Sequence, residues 1–230
     1  SLNFKEIRED GSGRTFYYRE NSPTTTLTIE SLDEHVIKTS KVLHVTGVFP
    51  AIDKEKNVEL IEHMLKLAKA NDVLVSLDPN IRLKLWSREE AKEALTRFLP
   101  YVDILLTGED EAELLFDTYL PEEVIKECRK HEITALAIKR GENGAFGYMD
   151  GASLEASALP PKKVVDTVGA GDGFDAGFIY GYLQGWPLEK IIRFANTIGS
   201  MVVSVEGDNE GLPLLDEVLM QLGEKELVER

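Results

Sequence analysis

Cysteine is almost absent: Cys128 is the single one in 230 residues. An internal disulfide is therefore excluded, and the charged, helical setting of Cys128 fits a reducing cytoplasm. Basic charge is in deficit as well. Against 41 Asp and Glu stand 26 Lys and Arg, a formal net charge of -15, with a pI near 4.8. That balance excludes a general nucleic-acid binder and a binder of anionic membranes. An anionic substrate would have to be drawn in by local cations against the overall field. No apolar run approaches the length of a membrane span, and the first residues carry no signal-peptide pattern. A cytoplasmic protein without a membrane partner is expected. There is no internal repeat and no low-complexity segment. The chain opens on Ser1 rather than Met, as a processed or partial product would.

What is present is organised around Asp166-Thr167-Val168-Gly169-Ala170-Gly171-Asp172-Gly173-Phe174. Apolar Val164-Val165 leads in and a helical apolar pattern from Phe174 to Leu183 leads out. Two glycines flank an alanine, so backbone can approach a ligand without side chains in the way. The turn feeds a helix N-terminus, where N–H groups and the positive dipole end favour an anion. A carboxylate at that mouth, Asp172, is electrostatically costly unless it takes a proton from a hydroxyl attacking a bound phosphate. A helix N-cap after a glycine turn is the plainer reading of a lone G-A-G-D. No Gly-Lys-Ser/Thr follows, so this is not a Walker loop. Phe174 replaces the third glycine of a dinucleotide fingerprint.

The remaining pattern is strand alternating with helix. Hydrophobic content of 43% suffices for a real core, and the length allows one α/β domain with an appendage. Strands are predicted at 42–45, 73–77, 102–106 and 134–138. Helices are predicted at 53–70, from the Ser87–Glu90 capping box to Leu99, at 109–116, and at 121–130 with Pro121 in the first turn. His44, in an apolar strand, reads as a satisfied core histidine. After Gly144 come two short strands around Asp150-Gly151, a hairpin signal. Helices at 172–184 and 187–204 follow, then a polar loop at 206–211 and a last helix at 213–222. Gly177 and Gly181 read as close helix packing. Near the start, 14–19 and 24–29 read as two extended segments around the Asn21-Ser22-Pro23 turn.

This alternation predicts a mostly parallel sheet with helices on both faces. Ligands of such sheets bind at the carboxyl ends of the strands. Asp78, Asn80, Arg82, Gly108, Glu111, Lys139 and Gly141 all fall just after predicted strands, so these separate runs are expected to converge on one edge.

The string D-T-V-G-A-G-D-G-F resembles the C-terminal signature of the ribokinase-like (PfkB) sugar kinases. Similarity to the branch that phosphorylates 2-keto-3-deoxygluconate runs through nearly the whole chain. It is carried by Tyr17-Tyr18-Arg19, Asp78-Pro79-Asn80-Ile81-Arg82 with Leu85-Trp86, the Gly108–Glu111 corner, Lys139-Arg140-Gly141, the glycine turn and Gly207-Asp208-Asn209-Glu210-Gly211. The resemblance implies a three-layer α/β/α domain at 31–230, with residues 1–30 part of a small β lid. It implies ATP-dependent transfer to the terminal hydroxyl of 2-keto-3-deoxygluconate. Asp172 would be the general base and Gly169, Ala170 and Gly171 the anion hole. Tyr17, Arg19, Arg82 and Asp208 would contact the sugar acid together with Asp172. Asn80, Arg82, Lys139, Gly141, Gly144 and Asn196 would border ATP, and Glu111 would act through water on Mg2+. A monovalent cation such as K+ and a homo-oligomer formed through the lid also belong to that implication.

Two departures stand against the family pattern. Gly108 occupies a position that is Asn in many members, which weakens the metal role of Glu111. Family members also begin with a segment holding a first strand, a lid strand and a Gly-Gly sugar contact, which is expected to lie upstream of Ser1 in the native product. Strand 42–45, apolar on both faces, suits the interior of a sheet better than an edge and so also asks for strands upstream. Two other readings remain open. One is a kinase of the same fold for a neutral sugar such as fructose, or for a nucleoside. The other is a non-catalytic small-molecule binding module. Two arginines suit a carboxylate substrate, and a pure anion receptor has no use for Asp172.

Overall fold

The computed structural model describes residues 2–7, 13–19, 22–207 and 209–226. The chain divides into two compact units, 1–136 and 137–230. In chain order the first unit holds β1 (Leu2–Ile7), β2 (Gly13–Tyr18), α1 (Pro23–Thr26), α2 (Glu34–Thr39), β3 (Val42–Thr46), α3 (Val48–Ile52), α4 (Lys54–Lys69), β4 (Leu74–Asp78), α5 (Arg88–Phe98), β5 (Ile104–Gly108), α6 (Glu109–Phe116) and α7 (Pro121–Lys130). The division falls inside β6 (Ala135–Lys139). The second unit continues with β7 (Ala145–Met149), β8 (Ala152–Ala156), α8 (Ala170–Leu183), α9 (Leu188–Val202) and α10 (Leu215–Gln221). Strands β3 to β8 follow chain order in a six-stranded sheet. β3 pairs parallel with β4, and β4 with β5, whereas β7 and β8 pair antiparallel. This is the mostly parallel α/β architecture expected from the alternation.

In the first unit the core lies under β4 and β5, whose Val75, Leu77, Ile104, Leu105 and Leu106 are all essentially inaccessible. Leu60 and Leu65 of α4, with Leu95 and Phe98 of α5, pack into the same core. Both helices start where polar side chains dictate. Asp53 accepts the Lys56 N–H at 3.3 Å ahead of α4. Ser87 and Glu90 exchange backbone N–H bonds of 3.2 and 2.7 Å ahead of α5, the reciprocal box predicted from sequence. Lys54 lies 2.7 Å from Glu90; with the Ser87 N–H it holds the Glu90 carboxyl down at about 2. Cys128 is fully buried in α7, and burial pushes its thiol up to about 12.

In the second unit α8 and α9 are tightly apposed. A Cβ on Gly177 would lie 2.8 Å from Ile198 Cδ1, and one on Gly181 would lie 3.0 Å from Ile191 Cγ1. The packing role expected of these glycines is thus observed. Phe194, Ile198, Val202 and Val218 form the cluster beneath α10. Asp150 and Gly151, at φ of 51° and 86°, make the tight hairpin turn between β7 and β8.

Three expectations differ from the structure. The partner of β2 is β1, paired in register from Leu2↔Tyr18 to Ile7↔Gly13; it is not 24–29. That Thr-rich stretch begins instead as the short helix α1. Pro23 sits at its first position, and the Thr25 and Thr26 hydroxyls donate to the Ser22 and Pro23 carbonyls at 2.7 and 2.9 Å. Hydroxyl-to-backbone bonds of this kind override β-propensity. α3, carrying Pro50, was not foreseen. Among the described residues β3 stands first in the sheet order and is half-exposed, which does not bear on a strand upstream of Ser1. His44 there is exposed rather than in the core, with Nδ1 3.2 Å from Ser76 Oγ.

No helix among the described residues is long and apolar enough to cross a membrane. The bend after β3 passes very close to the loop after β4: the Gly47 N–H donates to the Asp78 carbonyl at 3.0 Å, and a Cβ on Gly47 would fall 1.9 Å from the Pro79 carbonyl oxygen. Gly47→Ala should therefore cost about 1–3 kcal/mol through overpacking, read as a lower urea midpoint at unchanged m-value. An unshifted midpoint would show that the bend has room to spare.

Candidate active site

Sequence-marked residues gather within each unit. In the first, β4 ends at Asp78, which is buried, and the chain turns through Asn80 at a φ of 37°. β5 ends at Gly108, and α6 starts at once. Glu111, in the first turn of α6, ties these two corners together. One carboxylate oxygen accepts the Gly108 N–H at 2.9 Å and the other accepts the Ile81 N–H at 2.9 Å. Both bonds are charge-assisted. Glu111 thus holds the loop that presents Asn80 and Arg82. Arg82 is exposed, and its carbonyl accepts the Leu85 N–H at 2.8 Å in the turn that follows.

Near the start of the chain, the Arg19 guanidinium carbon lies 4.2 Å from the centroid of the Tyr17 ring. This is cation–π stacking, and it places the two expected sugar-acid contacts side by side. Tyr17 itself is exposed, as are Phe4, Phe16 and Tyr18.

In the second unit the glycine turn takes the form its sequence demands. Gly169 adopts φ 81°, ψ -10°, a left-handed conformation that glycine reaches without penalty. Its carbonyl accepts the Gly173 N–H at 2.8 Å, so α8 begins at Ala170 and its first N–H groups are left without helical acceptors. Asp172 is exposed on this first turn. Asp166 braces the turn from below. It is buried, and its carboxylate accepts the Val168 N–H at 3.1 Å and the Gly207 N–H at 3.4 Å. Asp208, the neighbour of Gly207, lies outside the described residues.

Beside the turn opens a cavity of about 770 Å3. Its wall includes Lys139, Gly141, Gly144, Ala170, Gly171 and Asn196. Six residues marked as nucleotide contacts, from three separate stretches of sequence, therefore line one cavity. Asn196 Nδ2 donates to the Ala156 carbonyl at 3.0 Å, and the Ser200 hydroxyl, one turn along α9, donates to the Leu159 carbonyl. Together they pin the 156–159 strap that forms the outer wall. Lys139, at the end of β6, meets both oxygens of Asp175 at 3.1 and 3.2 Å.

Asp166, Asp175 and Ser200 carried no assigned role in the sequence. Asp166 opens the signature and could have been singled out as its anchor. Asp175 is the one charge among the buried residues of α8, and a charge on an apolar face signals a fixed partner. Ser200 gives no signal of its own. Among the described residues no group of three or more His, Cys, Asp or Glu is arranged to hold a metal ion.

The cavity, the turn and the α/β frame define a small-molecule phosphotransferase fold, and comparison with known proteins agrees. Residues 1–215 match the model of the pfkB family carbohydrate kinases; the chain belongs to that family. It is 31% identical over 225 residues to 2-dehydro-3-deoxygluconokinase of Bacillus subtilis, covering 94% of this chain and 67% of that protein. It is 29% identical over 220 residues to 5-dehydro-2-deoxygluconokinase of Listeria innocua, with the same coverage of each. Among solved structures, a putative ribokinase II from Escherichia coli in complex with ATP and Mg2+ superposes with a TM-score of 0.84 at 26% identity, covering 94% of this chain and 69% of that one. The chain thus spans about two thirds of the length of the relatives it matches.

The Glu111 geometry makes a prediction. Glu111→Gln replaces one acceptor oxygen by an amide, facing one of the two backbone N–H groups with a donor. The loss should be about 1–3 kcal/mol of stability, the cost of an unsatisfied buried group, in urea unfolding without magnesium. A Glu111 that serves only through a metal would leave that measurement unchanged.

Proposed function

We propose that this protein is an ATP-dependent sugar-acid kinase that phosphorylates 2-keto-3-deoxygluconate at its terminal hydroxyl, giving 2-keto-3-deoxy-6-phosphogluconate. The observation that carries the reading is the 770 Å3 cavity that ends on the glycine turn beside Asp172. Two relatives named for dehydro-deoxygluconates support a sugar acid over a neutral sugar. ATP is the phosphoryl donor; Lys139, Gly141, Gly144, Asn196 and the 169–171 turn are its contacts, and the family resemblance adds Asn80 and Arg82 to that set. Tyr17, Arg19, Arg82 and Asp208 are the sugar-acid contacts.

Asp172 takes the proton of the terminal hydroxyl. That oxygen forms its bond to the terminal phosphorus as the bridging bond to ADP breaks. Backbone N–H groups of the turn neutralise charge on the transferring oxygens. Magnesium commonly uses one or two carboxylates, substrate phosphates and several waters. Glu111, whose two oxygens each accept one backbone N–H, would act on the ion through water, and the ion would supply charge neutralisation. A monovalent cation such as K+, and a homo-oligomer formed through the exposed aromatic face of β1 and β2, complete the reading.

ATP consumption should be highest with ketodeoxy sugar acids when these are screened against fructose, ribose and nucleosides; a preference for fructose or a nucleoside would establish the neutral-substrate alternative. Asp172→Asn should lower kcat by roughly 10²–10⁴, the span of a general base, with ATP affinity nearly intact; near-normal turnover would remove Asp172 from that role. Arg19→Ala should cost about 1.5–3 kcal/mol, read as roughly ten- to a hundred-fold in kcat/KM for the acid with the KM for ATP unchanged. An equal loss with ATP limiting would move Arg19 to phosphate binding.

A further inference from the structure

The Lys139–Asp175 pair has a geometry that ordinary surface ion pairs lack. Asp175 is 2% exposed and sits one turn into α8, three residues beyond Asp172. Its two oxygens lie 3.1 and 3.2 Å from Lys139 Nζ, so the ammonium is held symmetrically rather than by one bond. The same ammonium is beside the glycine turn: a Cβ on Gly171 would be 3.8 Å from it. Lys139 also lines the cavity. A positive charge is thus fixed at the positive end of a helix, where the peptide dipoles oppose it. Buried carboxylates are retained where they are paired, and a lysine on its flexible four-carbon stem would otherwise leave such a spot for solvent.

We propose that Asp175 is a positioning residue for phosphoryl transfer. It anchors the Lys139 ammonium beside Gly171, where the ammonium meets the terminal phosphoryl group of the nucleotide, and it neutralises that charge until the anion arrives. This rests on the reading of the cavity as the nucleotide site. Placement is what matters to transfer: a lysine bound to a phosphate wherever it reaches would aid binding, whereas one held at the turn aids the step in which charge develops.

A double-mutant cycle on the full-length protein tests this. Asp175→Asn keeps shape and one acceptor but removes the charge. It should lower kcat by about tenfold or more, the scale of a misplaced transition-state contact, with the KM for the sugar substrate unchanged. In a Lys139→Met background the same substitution should cost no further turnover. A merely structural Asp175 would give no such kcat-against-KM split and would cost the same in both backgrounds, which overturns the proposal. The two levels of the argument separate cleanly. If Lys139→Met leaves kcat and ATP binding as in the parent, the nucleotide reading of Lys139 fails and the proposal with it. If Lys139→Met is impaired while Asp175→Asn behaves as the parent, the positioning role alone is wrong.

Discussion

A carboxylate that accepts backbone N–H groups is the interaction on which the ligand-facing loops depend. Asp166 does this under the glycine turn, and Glu111 does it between the corners after β4 and β5. Each bond is charge-assisted and so stronger than a neutral one. Each acts on main chain, so it fixes loop geometry whatever side chains the loop displays. A loop held this way can carry arginine, asparagine or glycine as its chemistry requires. Loops otherwise have few buried contacts to define them.

The acidic composition takes on a second meaning beside these contacts. A net charge of -15 repels anionic ligands at a distance, yet part of the acid inventory faces inward. Asp166, Asp175 and Asp78 are all buried. The chain's negative charge is therefore not simply a coat. Some of it is structural counter-charge: Asp166 is set against backbone N–H groups, and Asp175 against a lysine that lines the cavity.

How far the sequence could be read depended on the kind of signal. Helix starts were legible because caps act locally: Ser87–Glu90 and Pro121 set boundaries that the structure reproduces. The parallel order β3-β4-β5 followed from strand–helix alternation, and several residues marked by the family string do line one cavity. The start of the chain was harder. Thr24 to Ile29 has strand composition, but hydroxyls turned back onto carbonyls win there, and no periodicity reports such a bond. β1 escaped notice since a two-stranded pairing leaves only a weak alternation to detect. The supporting side chains were invisible for another reason. Asp175 and Ser200 act through tertiary partners 36 and 41 positions away, and a single sequence does not announce such pairs.

Cys128 has a practical corollary. Its thiol is closed off in α7 and held protonated far above neutral pH, and the chain has no other. Thiol chemistry requires the thiolate and access to it, so the protein is silent toward maleimides and related labels while folded. Any cysteine placed on the 156–159 strap or on the β1–β2 surface becomes the sole reactive sulfur. A fluorophore or spin label can then report on ligand entry beside the strap or on hairpin contacts without first stripping the native residue from the core.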